Sequence, residues 1–357
     1  MRAQKECRLD TGCAPSGSPA SLRGRFVTRY SVPGRIPFQV WEASVPRISD
    51  QLTGCALYIY ASMQDARDGA NQGASGFLVG VQSQTFPDLS FTYAVTNWHV
   101  VRKAKTPVIR MNRRDGGIEC FPTTAAEWTQ HPDGDDIAAF QINPDVERMR
   151  FVSLAARMLL THELVAHEDI GIGDDVFMIG RFINHEGKER NAPALRFGNI
   201  AMMATEKIVT EYGTEQESFL VEVRSLPGYS GSAVFLYSSA PMNDMSRMRA
   251  GTPMNTSGPP LSGVALQDAA MKQMSPKGPY LLGIDWCHLN NQIMVRDRDG
   301  KELKEGWTVR ENTGMAGVIP AWKIQELLCS DELTERRRLG DQQLADAAKR
   351  VSLDDSY

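Results

Sequence analysis

Ser230 lies in the run Pro227-Gly228-Tyr229-Ser230-Gly231-Ser232, between the apolar segments ESFLVEVRS and SGSAVFLYS. A serine between glycines on a tight turn can expose its hydroxyl while nearby backbone N–H groups converge. Acyl transfer needs both, a nucleophile and donors for an oxyanion. Glycine and serine are also common turn residues, so the run alone is equally an ordinary β-turn. A serine nucleophile needs a base, and the chain has six histidines: His99, His131, His162, His167, His185 and His288. His99 ends the strand-like run FTYAVTNWHVV, where a core histidine would also fit. A base needs a carboxylate, held away from bulk water, to orient it. Asp136 opens the apolar run IAAF after the polar stretch HPDGD, although Asp133 or Asp135 could serve as a strand-end cap in the same way.

The order His99, Asp136, Ser230 joins these separate signals, because it is one of the known triad orders. In α/β-hydrolases the order is Ser, acid, His, around a G-x-S-x-G elbow. Here the histidine lies upstream and the surroundings are strand-rich, which excludes that reading.

The elements that must position these residues are mostly short strands. CALYIYAS, SGFLVGVQS, FTYAVTNWHVV, TPVIRMNRR, IECFPTT and DDIAAFQI form a first series, with a hairpin turn at Asp115-Gly116-Gly117. MQDARDGANQGA reads as a polar loop. Residues 145–170 form the bridge, with LAARMLLTHELVAH partly helical. A second series follows: DDVFMIGRF, LRFGNIAMM, KIVTEYG, ESFLVEVRS, SGSAVFLYS and YLLGIDWCH. A Met-, Pro- and Ser-rich loop around 240–262 interrupts it, and loops of that length are usually functional or disordered. A charged hairpin turns at Asp299-Gly300, and GMAGVIPAWKIQELL reads as a strand leading into a helix. Earlier, FVTRYSV and PFQVWEASV are strand-like. Strands at this spacing suggest a barrel or sandwich.

The chain has 357 residues, too many for one comfortable core. Charged residues make up 23% and hydrophobic residues 42%, ordinary for a globular protein. Lys plus Arg is 39 and Asp plus Glu is 43, giving a net charge of −4. That excludes an overall basic nucleic-acid binder, and no nucleic acid is expected as a partner. No run approaches the roughly 20 apolar residues of a membrane span. The N-terminus has no apolar segment after its basic residues, so it does not read as a secretory signal. The cysteines are scattered without a CxxC pair, which argues against a disulfide scaffold or zinc site. A cytoplasmic location, no metal and no cofactor are the expectations.

Taken together, SGFLVG, VTNWHVV, DDIAAF, GDDVFMIG, RFGNI, PGYSGSAVF, LLGIDW and GVIPAWKI resemble the bacterial trypsin-like serine proteases of the chymotrypsin fold. The matching pieces cover about residues 53–326. The resemblance implies an all-β fold of two antiparallel six-stranded β-barrels, here followed by a C-terminal helix. The implied organisation is an N-terminal extension at 1–48, a first barrel at 49–155, a second at 156–326 and a charged helical tail at 327–357. It implies His99 as general base, Asp136 as its orienter and Ser230 as nucleophile, with the N–H groups of Gly228 and Ser230 as oxyanion hole. The implied activity is a serine endopeptidase, with protein or peptide as substrate. Too few residues follow the last strands for a PDZ domain.

The departures from the family are informative. Val100 and Leu226 replace cysteines of secreted relatives, and Tyr229 replaces the aspartate that pairs with a freed N-terminus on activation. GYSGS is similar to the GNSGS of bacterial glutamyl endopeptidases. The resemblance puts Arg224 and Ser225 near the pocket floor and Asp285, Trp286, Cys287 and His288 in its wall. Asp285 stands where a glutamyl endopeptidase has histidine, which opposes an acidic substrate. Arg224 pulls the other way or pairs with Asp285, so no preferred residue follows. Cys287 reads as a buried thiol. Gly73-Ala74-Ser75-Gly76 also looks like an elbow but leads into a strand. His162 and His167 are five apart, the wrong spacing for two ligands on one helix face.

A different class of function is a latent protease-fold binding or scaffold module. The complete triad disfavours it. Without zymogen activation, restraint would fall to the N-terminal extension, the loop at 240–262 or the tail, and a regulatory partner acting through the extension or the tail is one expectation. The bland alternative for the tail is a solvated helix.

Overall fold

The computed structural model describes residues 48, 51–70, 73–181, 187–209, 215–223, 229–237, 279–301 and 307–354. The strand-like runs before residue 48, the loop at 240–262, Arg224, Ser225 and Gly228 lie outside the described residues.

In chain order the strands of the first half are β1 (Ala56–Tyr60), β2 (Ala74–Gln82), β3 (Ser90–Thr96), β4 (Val108–Asn112), β5 (Ile118–Pro122), β6 (Thr129–Gln130), β7 (Ala138–Ile142) and β8 (Leu154–Ala155). They form one sheet in the order β5-β4-β1-β2-β3-β7-β6, with β8 parallel to β2. β2 is central, and its residues Ala74–Gly80 are all buried. Such a strand reads as a nearly continuous small and apolar run rather than an alternating one, as SGFLVG does.

The second half comprises β9 (Asp175–Gly180), β10 (Ala194–Met202), β11 (Lys207–Val209), β12 (Glu215–Glu217), β13 (Phe219–Glu222), β14 (Ala233–Leu236), β15 (Leu281–Met294) and β16 (Thr308–Pro320). Six of these close into a barrel in the order β10-β13-β16-β15-β14-β9, and β11 and β12 pair as a separate ribbon. The mostly β, chymotrypsin-like architecture expected from the sequence is therefore present. The first half differs in detail: among the described residues it is an eight-stranded sheet whose end strands β5 and β6 do not pair with each other. One apolar cluster runs through both halves, from Phe77, Val95 and Ile137 of the sheet to Phe177, Phe219 and Ile284 of the barrel.

Two local expectations change. MQDARD is helix α1 (Met63–Asp68), not loop. Ser62 caps it by accepting from Asp65 N at 3.1 Å, and Gly69 ends it with φ +60°, a left-handed cap that glycine adopts without steric cost. The strand of FTYAVTNWHVV stops at Thr96, and Trp98–Ala104 is helix α2. His99 is thus in the first turn of a helix rather than at a strand end. Apolar continuity alone cannot separate a strand from a short buried helix. LAARMLLTHELVAH is partly helical as expected, with α3 at His162–His167.

The chain ends in α4 (Ala321–Leu328) and α5 (Asp331–Asp354). α4 buries Ala321, Trp322, Ile324, Leu327 and Leu328, the i, i+3, i+4 spacing of a one-sided helix. The start of α5 is not simply solvated. Leu333 is fully buried, and Arg337 donates to the Tyr93 hydroxyl at 3.2 Å. Ser83 Oγ donates to Asp341 Oδ1 at 2.5 Å. Among the described residues, no helix is long and apolar enough to cross a membrane.

Two fully buried arginines tie the halves together. Arg110 of β4 donates to the carbonyls of Gly187 and Lys188, beyond β9. Arg181, at the end of β9, donates to the carbonyls of Gly73 at 3.2 Å and Ala70 at 2.5 Å. Both guanidiniums lie against the Tyr60 ring, a placement that suits a planar cation.

Candidate active site

His99 and Asp136 meet although 37 residues separate them. Pairing of β3 with β7 sets Thr96 opposite Ala138, so the residues just after one strand face those just before the other. His99 Nδ1 lies 2.6 Å from Asp136 Oδ2, and the His99 backbone N–H donates to Asp136 Oδ1 at 2.7 Å. Both carboxylate oxygens are therefore engaged by one residue. The buried Asn97 donates from Nδ2 to the Asp136 carbonyl at 3.0 Å. His99 remains 24% exposed at its side chain and Asp136 13%. The imidazole can thus reach a substrate while its partner is largely shielded.

Ser230 is held from the other half. Its carbonyl accepts from Ser75 N at 2.9 Å. Ser232 N donates to the Tyr229 carbonyl at 2.8 Å, closing a turn with Ser230 and Gly231 at its centre. Gly231 has φ +88°, and a Cβ there would strike the Ser75 carbonyl and Thr96 Oγ1. A glycine is required on both counts. This contact seats the turn on the ends of β2 and β3, three residues from His99. Among the described residues, no hydrogen bond joins Ser230 to His99. In unliganded enzymes such bonds are often long and tighten with substrate. Gly228, the other expected oxyanion donor, lies outside the described residues together with Arg224 and Ser225.

The expected wall residues lie on β15. The Gly231 N–H donates to the Asp285 carbonyl at 2.8 Å, and Asp285 N donates to Ser232 O at 3.0 Å. The backbone of β15 is thereby joined to the Ser230 turn. Asp285 and Trp286 are buried, and His288 is half-buried. Trp286 Nε1 donates to Ser218 Oγ at 2.9 Å. Burial, and secondarily the Asp285 charge, pushes the Cys287 thiol up to about 12, so it is a protonated thiol at neutral pH. Tyr229 is buried and its phenol is pushed above the ordinary value by that burial, against the opposing pull of Arg196, which donates to it at 2.6 Å.

Several groups here carry no sequence signal. Gln216 of β12 is buried and contacts the residues around Asp136. His131, Asp135 and Glu326 converge, but the Lys323 ammonium lies 3.5 Å from Asp135 and 3.0 Å from Glu326. A cation of the protein already lies between these carboxylates.

Residues 74–239 match the trypsin-like peptidase domain family. That span includes His99, Asp136 and Ser230. No curated protein matches the chain. Similar solved structures include Deg5, 17% identical, covering 52% of this chain and 75% of that one with a TM-score of 0.35. The HtrA-type protease AlgW with a decapeptide is 14% identical, covering 71% and 51%, with a TM-score of 0.36. The active form of the Rv3671c protease from M. tuberculosis is 13% identical, covering 77% and 80%, with a TM-score of 0.36.

Proposed function

We propose that this chain, whose residues 74–239 match the trypsin-like peptidase domain family, is a serine endopeptidase acting through His99, Asp136 and Ser230. The observation that carries this reading is the two-point contact of Asp136 with His99, through Nδ1 at 2.6 Å and the backbone N–H at 2.7 Å. A carboxylate at Nδ1 keeps the proton there and leaves Nε2 as the basic nitrogen.

In this mechanism Ser230 Oγ attacks the peptide carbonyl while His99 Nε2 removes its proton. The N–H groups of Gly228 and Ser230 receive the oxyanion. His99 then gives the proton to the leaving amine, and an acyl-enzyme on Ser230 remains. Water, activated by the same imidazole, releases the acid product. Asp136 stays ionised and stabilises the transient imidazolium. The substrate is a protein or peptide, and no metal or cofactor takes part.

A fluorophosphonate probe tests the reading. It is expected to label the folded wild type at Ser230 and to leave Ser230→Ala unlabelled. A folded wild-type protein that takes no label would overturn it.

A further inference from the structure

The loop that carries Asp136 is fastened by a residue of the other half. Gln216 lies on β12 and is 1% exposed. Its Oε1 accepts from the Asp136 backbone N–H at 2.9 Å, and its Nε2 donates to Asp135 Oδ1 at 2.8 Å. Both ends of the amide are thus used on consecutive residues, one backbone donor and one carboxylate acceptor. An amide is the side chain that offers a donor and an acceptor on one planar group.

We propose that Gln216 is a positioning residue, which fixes the Asp136 carboxylate at His99 and couples it to the substrate-pocket wall. The contacts extend in both directions. From Asp136, the carboxylate reaches the side-chain and backbone nitrogens of His99. From Gln216, the carbonyl accepts from Ser218 Oγ at 3.2 Å, and that hydroxyl accepts from Trp286 Nε1 at 2.9 Å. Trp286 is in β15, the strand whose Asp285 backbone is bonded to the nucleophile turn. The ribbon end at 216–218 therefore touches the base–acid pair on one side and the wall strand on the other.

The outer face of the same ribbon is anchored to α4. Trp322 Nε1 donates to Glu217 Oε1 at 3.0 Å, and Lys323 Nζ lies 3.9 Å from Glu217 and 3.5 Å from Asp135. This seating limits how far the Gln216 amide can drift. Hydrogen bonds on both sides of the amide restrict its movement, which is what a carboxylate aimed at an imidazole needs.

The inference rests on the proposed triad, so the two are tested in sequence. The wild type is first labelled with the fluorophosphonate probe; no label would sink the triad reading itself. In a labelled, active enzyme, Gln216→Ala is expected to lower kcat at least tenfold with little change in KM. The acidic limb of its kcat/KM–pH profile should move to lower pH, because the His99 imidazolium is then less well supported. A merely structural role would not move that limb in protein of wild-type circular dichroism.

The reciprocal pair Gln216→Glu with Asp135→Asn supplies a rescue. Gln216→Glu alone sets two carboxylates against each other. Adding Asp135→Asn reverses the donor and acceptor of that contact and keeps the net charge. The double variant should recover most of the kcat lost in Gln216→Glu. Wild-type kcat and pH profile in folded Gln216→Ala would overturn the proposal. So would an absence of rescue in a folded double variant.

Discussion

His99 and Asp136 are joined at two points, Nδ1 to Oδ2 at 2.6 Å and backbone N–H to Oδ1 at 2.7 Å. The backbone contact matters because it does not depend on the imidazole. It holds the carboxylate in place when the ring tilts or takes up a proton. Asp136→Asn should therefore leave the fold intact but present an amide N–H where His99 needs an acceptor. The wrong tautomer then prevails, and kcat is expected to fall by about 10⁴-fold. Steady-state kinetics with a peptide substrate, beside a melting curve close to wild type, checks this.

Arg110 gives a prediction about the seam. Its guanidinium serves the carbonyls of Gly187 and Lys188 and the Tyr60 hydroxyl while fully buried. Arg110→Met keeps much of the volume but removes these donors. The loss is expected to be about 1–3 kcal/mol, from removing the hydrogen bonds of a buried charged donor. Arg110→Lys should recover only part of it, because an ammonium cannot reproduce the planar fork. Urea unfolding of the three proteins measures the order.

Asp341 tests the docking of α5. It accepts from Ser83 Oγ at 2.5 Å and is 7% exposed. Asp341→Ala is expected to cost about 1–3 kcal/mol. Its kcat/KM should remain at the wild-type value, since Asp341 meets Ser83, just past the end of β2 opposite the Ser75 end that receives the Ser230 turn. A lowered urea midpoint with unchanged turnover is the expected pair of results.

The thiols separate by burial. Cys329 is exposed, whereas Cys287 is pushed up to about 12 by burial and the Asp285 charge, and Cys55 to about 12 by burial. Iodoacetamide at neutral pH should alkylate Cys329 well before Cys287 in folded protein, as read by peptide mass spectrometry. The sign for stability follows from the raised values. The folded state retains these protons after the unfolded chain has released them. The contribution is intact below the ordinary thiol value of 9.0 and is lost as pH climbs toward about 12. Cys55→Ala should flatten the alkaline fall in the urea midpoint.

The Ser230 turn, the strand series and the order of the three candidate residues are legible from the chain alone. They are local: a glycine needed at positive φ, apolar runs of strand length, a carboxylate before an apolar strand. The helical placement of His99 was not legible, because TNWHVV has the apolarity of the strand it follows. Gln216, Arg110 and Arg181 were not legible either. Each is a polar residue whose burial is tolerable only because acceptors or donors from the other half of the chain meet it.

By itself the sequence determined which residues are candidates for acyl transfer and that a strand-rich fold would surround them. Only the tertiary structure decided how they are held. Strand pairing between β3 and β7 brings His99 to Asp136, and the β2 and β3 ends receive the Ser230 turn. Gln216 reaches Asp136 from 80 residues away in the chain. A hydrogen bond at that separation leaves no local pattern, since its geometry is set by the packing of the two halves and not by the spacing of residues along either strand.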